Sequence, residues 1–168
     1  LLIAVLAAML AICAQQAKRA DIAVEENAVL AADTWNEYQA KSVRSALAHD
    51  LEQFADSLDL PAGADRVTFR ENYIKRLKSD EQHYEKDPES GKATLATRAR
   101  RYEEKRQDSL ERAHTYDNAA AALELGIVLS TASVITDAKL LLRFGYVMGA
   151  IGVILALFGA IAPAMVVF

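Results

Sequence analysis

The feature that most constrains this chain is a stretch of 25 residues without a charged side chain, from Phe144 to Phe168. A helix of about 20 apolar residues is long enough to cross the hydrocarbon core of a bilayer. We therefore predict a transmembrane helix over 144–168. A second apolar segment covers 119–136 and contains one charge, Glu124. We predict a second transmembrane helix there, joined to the other by a short loop over 137–143.

Charged residues are concentrated between the apolar segments instead of being spread along the chain. Residues 1–17 carry none, whereas residues 18–117 hold 21 of the 23 acidic and 17 of the 19 basic side chains. A water-soluble domain interleaves apolar and charged residues, so this block pattern is typical of a polar region flanked by membrane spans.

The first apolar segment, 1–14, is too short to cross a bilayer alone. We expect a first transmembrane helix here, with further residues of the same helix preceding Leu1. A signal peptide would need a basic start and a small-residue cleavage pattern. A lipid anchor at Cys13 would need a small residue in place of Ile12. Neither pattern is present, so we favour a retained helix in which Cys13 is a buried thiol.

The polar region reads as a long antiparallel helical hairpin. From Gln15 to Asp59 there is no proline or glycine, and apolar residues recur every three or four positions. Proline and glycine residues predict a tip at 60–65 and a break at 87–91. A third helix continues from Lys92 into the second span. We predict an all-α integral membrane protein with about three transmembrane helices and an extramembrane, coiled-coil-like hairpin over 15–118.

The lengths of these helices support an out-and-back path. At about 1.5 Å per residue, the outgoing helix measures roughly 68 Å and the two returning helices together about 73 Å. A second helix folded back on the third would leave the chain far from the bilayer. Folding about the tip places residue i opposite roughly residue 125 − i, with Leu51 near Ile74 and Arg44 near Glu81.

Two sequence segments resemble a known family. They are ADTWNEYQAKSVRS at 32–45 and AAAALELGIVLSTASVIT at 119–136. The first contains a W..YQAKS.R pattern, formed by Trp35, Tyr38, Gln39, Ala40, Lys41, Ser42 and Arg44. Over most of its length the chain resembles bacterial membrane proteins of the uncharacterised domain-of-unknown-function 4337 family. The resemblance implies an integral protein of the bacterial inner membrane and no particular activity. Glu124 departs from the uncharged polar residue that the resemblance leads us to expect.

The sequence offers little catalytic chemistry. It has no glycine-rich phosphate loop, no HExxH or GxSxG motif and no cysteine pair. The histidines, His49, His83 and His114, are isolated, and the predicted register keeps His49 and His83 too far apart to share a metal ion. We therefore expect no enzyme, no cofactor and no metal site. Acidic residues offset the basic stretch 98–106, so we expect no nucleic-acid partner.

Two candidate sites remain. Glu124 is a carboxylate inside a predicted span, and such residues often mark ion or proton paths. It lies five residues into the span, where it can also snorkel to the interface. The second candidate is an interaction patch opposite the break, where aromatic side chains form a recognition pocket or fill a packing gap. This patch consists of Trp35, Tyr38, Lys41 and Arg44.

A stripe of small residues follows one face of the third predicted span. Its members are Gly145, Gly149, Gly152, Ala156 and Gly159. This spacing lets helix backbones approach closely in lipid, and alanines of the first segment form a counterpart. The stripe packs either within one chain or between chains. We expect a homo-oligomer held by it.

Two functions fit these features. We favour a membrane-anchored structural or interaction protein, a self-assembling scaffold or an accessory subunit of another membrane complex. The alternative is a small transport or channel component in which Glu124 from several copies lines a polar path. Residues Ser130, Thr131 and Ser133 would extend that path.

Basic residues give conflicting signals about orientation. Lys139 and Arg143 favour a cytoplasmic loop between the last two spans and a periplasmic hairpin. Lys18, Arg19 and Arg112 favour the reverse. We expect a periplasmic hairpin.

Overall fold

The computed structural model describes residues 1–58 and 64–161, and nearly all of them are helical. Four helices follow one another: α1 Leu2–Ser57, α2 Ala64–Lys86, α3 Lys92–Thr136 and α4 Lys139–Ile161. The described residues contain no strand, so the all-α fold class is confirmed. Most of the predicted tip at 60–65, and the end of the predicted third span from 162 onward, lie outside the described residues.

Two of these helices join an apolar segment to a charged one without interruption. Helix α1 contains neither proline nor glycine, and α3 contains a single glycine, Gly126. Residues that interrupt a helix are therefore rare in α1, which has 56 residues, and in α3, which has 45. Helices α1, α3 and α4 are each long and apolar enough to cross a membrane.

The chain divides into two compact units. The first comprises residues 1–27 and 104–168, as far as they are described. In it the start of α1, the end of α3 and α4 pack around a small core. The buried members of this core are Leu6, Cys13, Ala119 and Leu123. Two of the four are alanine or cysteine, so the helices approach one another closely.

The second unit, residues 28–103, contains the rest of α1, all of α2 and the start of α3. Polar contacts join α1 first to α2 and then to α3, as an out-and-back hairpin requires. They link Lys78 Nζ to Glu52 Oε1 at 3.3 Å, Ser45 Oγ to Glu85 Oε1 at 3.1 Å, and Trp35 Nε1 to Glu103 Oε1 at 2.8 Å.

The register of this hairpin differs from the one predicted. Glu81 lies beside His49 and not beside Arg44, and Glu52 pairs with Lys78. Residue i therefore faces about residue 130 − i, a shift of about 7.5 Å along the helix axis. Folding about the predicted tip gives a register that pairs acids with bases, but such pairing is weak evidence because exposed ion pairs contribute only about 0–1 kcal/mol. Acidic and basic residues also recur so often in these helices that several registers bring opposite charges together.

The connection between α3 and α4 is shorter than the predicted loop over 137–143. Only Asp137 and Ala138 separate the two helices, because Lys139 already begins α4. The leucines that follow are strong helix formers, which favours this early start. Asp137 has φ 52°, a left-handed conformation that Asp and Asn tolerate better than most residues. The Ser133 hydroxyl donates to the Ala138 carbonyl at 3.1 Å.

Candidate functional site

The glycines of α4 form the surface on which the first unit packs. Gly145, Gly149, Gly152 and Gly159 are all buried. A methyl group built on Gly149 would lie 2.7 Å from Leu6 Cδ2, and one on Gly152 would lie 2.7 Å from Leu123 Cγ. Contacting carbon atoms normally sit about 3.5–4.0 Å apart, so larger side chains do not fit.

The small-residue stripe therefore packs within the chain. It faces Leu6 of α1 and Leu123 of α3, and half-buried Ala156 packs against the same core. Our expectation that the stripe holds neighbouring subunits together is wrong, because its glycines are already covered by helices of the same chain.

A further glycine, Gly126 of α3, belongs to this contact and was missed in the sequence. A methyl group on it would lie 3.1 Å from both Gly145 O and Gly149 N. The backbones of α3 and α4 thus meet with no side chain between them. The signal was present as a small residue at every fourth position, in Ala122, Gly126 and Ser130.

Contacts between α3 and α4 fix the level of Glu124 along the helix pair. Leu123 meets Gly152, Gly126 meets Gly149 and Thr115 meets Gly159. Glu124 therefore lies level with about Ile151, which is next to the midpoint of α4, and its side chain is exposed. The expectation that it sits near the end of a span, within reach of the interface, does not fit this pairing.

The polar path proposed for Glu124 is not assembled on one surface. Glu124 and Thr131 are exposed, whereas Ser130 and Ser133 are buried. Ser133 donates to the turn before α4. Two of the four residues therefore serve the packing of α3 and α4.

Two residues of the W..YQAKS.R pattern contact the returning chain, and one of them, Lys41, does so at the break. Trp35 donates to Glu103, and its ring packs edge-to-face on Tyr38 with centroids 5.4 Å apart. The Lys41 ammonium donates to the Ser90 carbonyl. Trp35 and Lys41 thus join α1 to the returning chain, but Trp35 does so within α3, at Glu103, and not opposite the break as the sequence predicts. Arg44 is exposed, and partner binding at this patch stays a prediction.

Side-chain hydrogen bonds shape the break between α2 and α3. Asp87 Oδ1 accepts from the backbone N–H of Ser90 at 2.7 Å and of Glu89 at 2.9 Å. These bonds, the Ser90 one foremost, lower the pKa of Asp87, and the nearby His83 adds to the effect. The pKa of Glu85 is also lowered, first by a 2.7 Å hydrogen bond from Lys92 and then by the Ser45 hydroxyl.

Acid should therefore loosen the break. A carboxyl group with a lowered pKa stabilises the fold above its unfolded-state pKa of about 4 and loses that contribution as pH falls through the folded-state value. We expect the thermal midpoint of the wild type, followed by circular dichroism in detergent, to fall on acidification below pH 4. Asp87→Asn keeps an accepting oxygen but does not titrate, so its midpoint should fall less. An equal fall in both proteins would contradict this role for Asp87.

A second cluster of polar side chains spans α1 and α2. The ligand-type atoms of His49, Glu52 and Glu81 all lie within 4.8 Å of one another, and His49 Nδ1 is 3.5 Å from Glu81 Oε1. His49 is therefore not isolated. The cluster is not evident from the sequence because the predicted register places Glu81 opposite Arg44 and not opposite His49. An HxxE pair on one face of α1 was the available signal.

Comparison with known proteins identifies a family. No curated protein and no solved structure matches the chain. The family model described as a domain of unknown function, DUF4337, matches residues 1–162. This range includes both the W..YQAKS.R pattern and the glycines of α4. The chain therefore belongs to the DUF4337 family.

Proposed function

We propose that this chain is a membrane-anchored structural protein that self-assembles through the face of α3 that carries Glu124. The single observation behind the proposal is the position of that carboxylate: exposed, and level with the middle of the most apolar helix. The hairpin of the second unit would then offer a charged surface to other proteins of a membrane complex.

The depth of Glu124 follows from the charges at both ends of the first unit. On one side α4 begins with Lys139 and Arg143. On the other, Arg19 and Arg112 line a cavity of about 210 Å³ beside Gly159 and Ala160. If these basic groups lie at the two interfaces, Glu124 lies near the centre of the hydrocarbon.

An exposed carboxylate at that depth is costly for a single chain. Insertion scales assign about 2.5–3.5 kcal/mol to Asp, Lys or Arg at the centre of a span, and such groups almost always face a protein interior. A second copy on this face removes Glu124 from lipid. In a two-fold dimer with its axis along the membrane normal, the two Glu124 side chains meet at equal depth, where a carboxyl group that holds a proton can donate a hydrogen bond to its partner.

The neighbours of Glu124 suit such a contact. Ala121 and Val128 lie one turn before and after it on the same face, and both are exposed. An alanine on one side lets a second helix approach. Lipid and a second copy of the chain are thus the partners we propose. We place the assembly in the bacterial inner membrane with the hairpin in the periplasm.

Replacing Glu124 tests this proposal. Glu124→Leu removes the polar contact and makes the exposed face compatible with lipid, so the dissociation constant of the oligomer should rise about 3- to 30-fold, given about 0.6–2 kcal/mol per polar contact in membranes. Glu124→Gln keeps the hydrogen bonds and should assemble like the wild type. Fluorescence energy transfer on dilution into lipid vesicles measures both constants.

One control variant and one flux measurement complete this test. Ile154→Leu alters an exposed residue of α4 and should leave assembly unchanged. An unchanged dissociation constant for Glu124→Leu, or a wild-type protein that stays monomeric at every lipid dilution, would refute self-assembly through this face. The transport alternative instead requires a pH-dependent cation flux in vesicles that Glu124→Gln abolishes.

A further inference from the structure

We propose that His49, Glu52 and Glu81 bind one divalent transition-metal ion of the zinc class, which clamps α1 to α2. This site lies in the second unit and is independent of the assembly proposed through Glu124. Among the described residues, these three bring one imidazole and two carboxylates to within 4.8 Å of one another.

The spacing suits direct binding of a metal ion by these side chains. Zinc binds imidazole nitrogen at about 2.0–2.1 Å and carboxylate oxygen at about 2.0–2.2 Å. Two tetrahedral ligands at those distances are separated by roughly 3.4 Å. His49 Nδ1 and Glu81 Oε1 are 3.5 Å apart, so an ion between them requires little movement of either side chain.

Burial and access also suit a bound ion. The side chains of Glu52 and Glu81 are 20% and 31% exposed, whereas that of His49 is 51% exposed. The two carboxylates are therefore partly shielded from water while one edge of the cluster stays open. An open edge gives a route for entry and room for a water molecule as the fourth ligand.

The ligand types indicate the class of metal. Imidazole suits zinc, copper, iron and nickel, whereas magnesium and calcium prefer sites made of oxygen alone. Two carboxylates beside one imidazole provide two negative charges for a divalent cation. We therefore expect Zn²⁺ to bind more tightly than Mg²⁺ or Ca²⁺.

Two neighbouring side chains set the strength of the site. The Gln53 side-chain nitrogen lies 2.9 Å from His49 Nε2. When Nδ1 holds a metal ion, Nε2 carries the ring proton and donates, so the Gln53 amide must turn its oxygen toward Nε2 to support the site. Losing such an outer partner costs about 10- to 100-fold in metal affinity. Lys78 Nζ lies 3.3 Å from Glu52 Oε1. This ammonium group pairs with the Glu52 carboxylate that would bind the metal ion, so the ion must displace it.

Binding should be measured on the full chain without a histidine tag, purified in detergent and treated with a chelator. Titration with Zn²⁺ by calorimetry and with Co²⁺ by visible absorption should give one ion per chain and a higher thermal midpoint. His49→Ala should weaken Zn²⁺ binding by more than about 100-fold, beyond the cost of an outer partner. His83→Ala is the matched control, because His83 lies on the same hairpin beside Asp87 and outside the cluster.

Two further variants test the same geometry. Glu81→Gln should weaken binding while circular dichroism shows an intact helix content. Lys78→Met should strengthen binding, because it frees Glu52. The proposal is overturned if His49→Ala binds Zn²⁺ like the wild type, if His83→Ala weakens binding equally, or if Mg²⁺ and Ca²⁺ bind as tightly as Zn²⁺.

Discussion

Gly152→Leu should prevent the first unit from folding rather than merely alter its assembly. The added side chain would begin 2.7 Å from Leu123 Cγ and 3.0 Å from the Ala119 carbonyl oxygen. Leu123 and Ala119 are themselves fully buried, so neither can move aside into free space. Overpacking of a core costs about 1–3 kcal/mol and sometimes more, and here one of the obstructing atoms is backbone. We expect a destabilisation at or above the upper end of that range.

Thermal unfolding in detergent and the yield of folded protein from membranes measure this effect. Ala150→Leu is the control, since it adds the same side chain on an exposed position of the same helix, and it should leave the thermal midpoint nearly unchanged. A Gly152→Leu protein with the wild-type midpoint would show that the α3–α4 contact is not as close as the structure has it.

The number and type of the helices followed from the sequence because lipid imposes a strict rule. A backbone in hydrocarbon must satisfy its own hydrogen bonds, so a long charge-free segment such as 144–161 has little choice but to be helical. The continuity of α1 likewise follows from the absence of proline and glycine before Pro61. These inferences need no knowledge of which helix faces which.

The contacts between helices were harder to predict because each depends on register. Counting from the start of the predicted span places Glu124 five residues into it. In the structure its level is fixed by the backbone contact of Gly126 with Gly145 and Gly149, which counting from one end of a span does not show. Small residues at helical spacing identify a packing surface, but not which surface it meets.

The His49 cluster was missed for the same physical reason. Its ligands come from two helices, and a shift of about five residues between them replaces Glu81 by another side chain opposite His49. Several large apolar residues of this hairpin, including Val43 and Phe54, are exposed, so the pattern of apolar residues is a poor guide to its register. Weak ion pairs do not distinguish these registers.

Paired cysteines should distinguish the two registers with a large effect. Glu85 is the shared position in the two cysteine pairs to be compared. In the structure Ser45 donates to Glu85 at 3.1 Å, whereas the register predicted from the sequence places Ala40 opposite Glu85. In a Cys13→Ala background, Ser45→Cys with Glu85→Cys should crosslink within one chain in most molecules when a short bifunctional maleimide is added. Ala40→Cys with Glu85→Cys should stay near background, because Ala40 lies about 7.5 Å further along α1.

Peptide mass spectrometry after proteolysis identifies the linked residues and excludes links between chains. Preferential linkage of Ala40 to Glu85 would restore the sequence-based register, and it would also separate His49 from Glu81 and so remove the geometric basis of the proposed metal site.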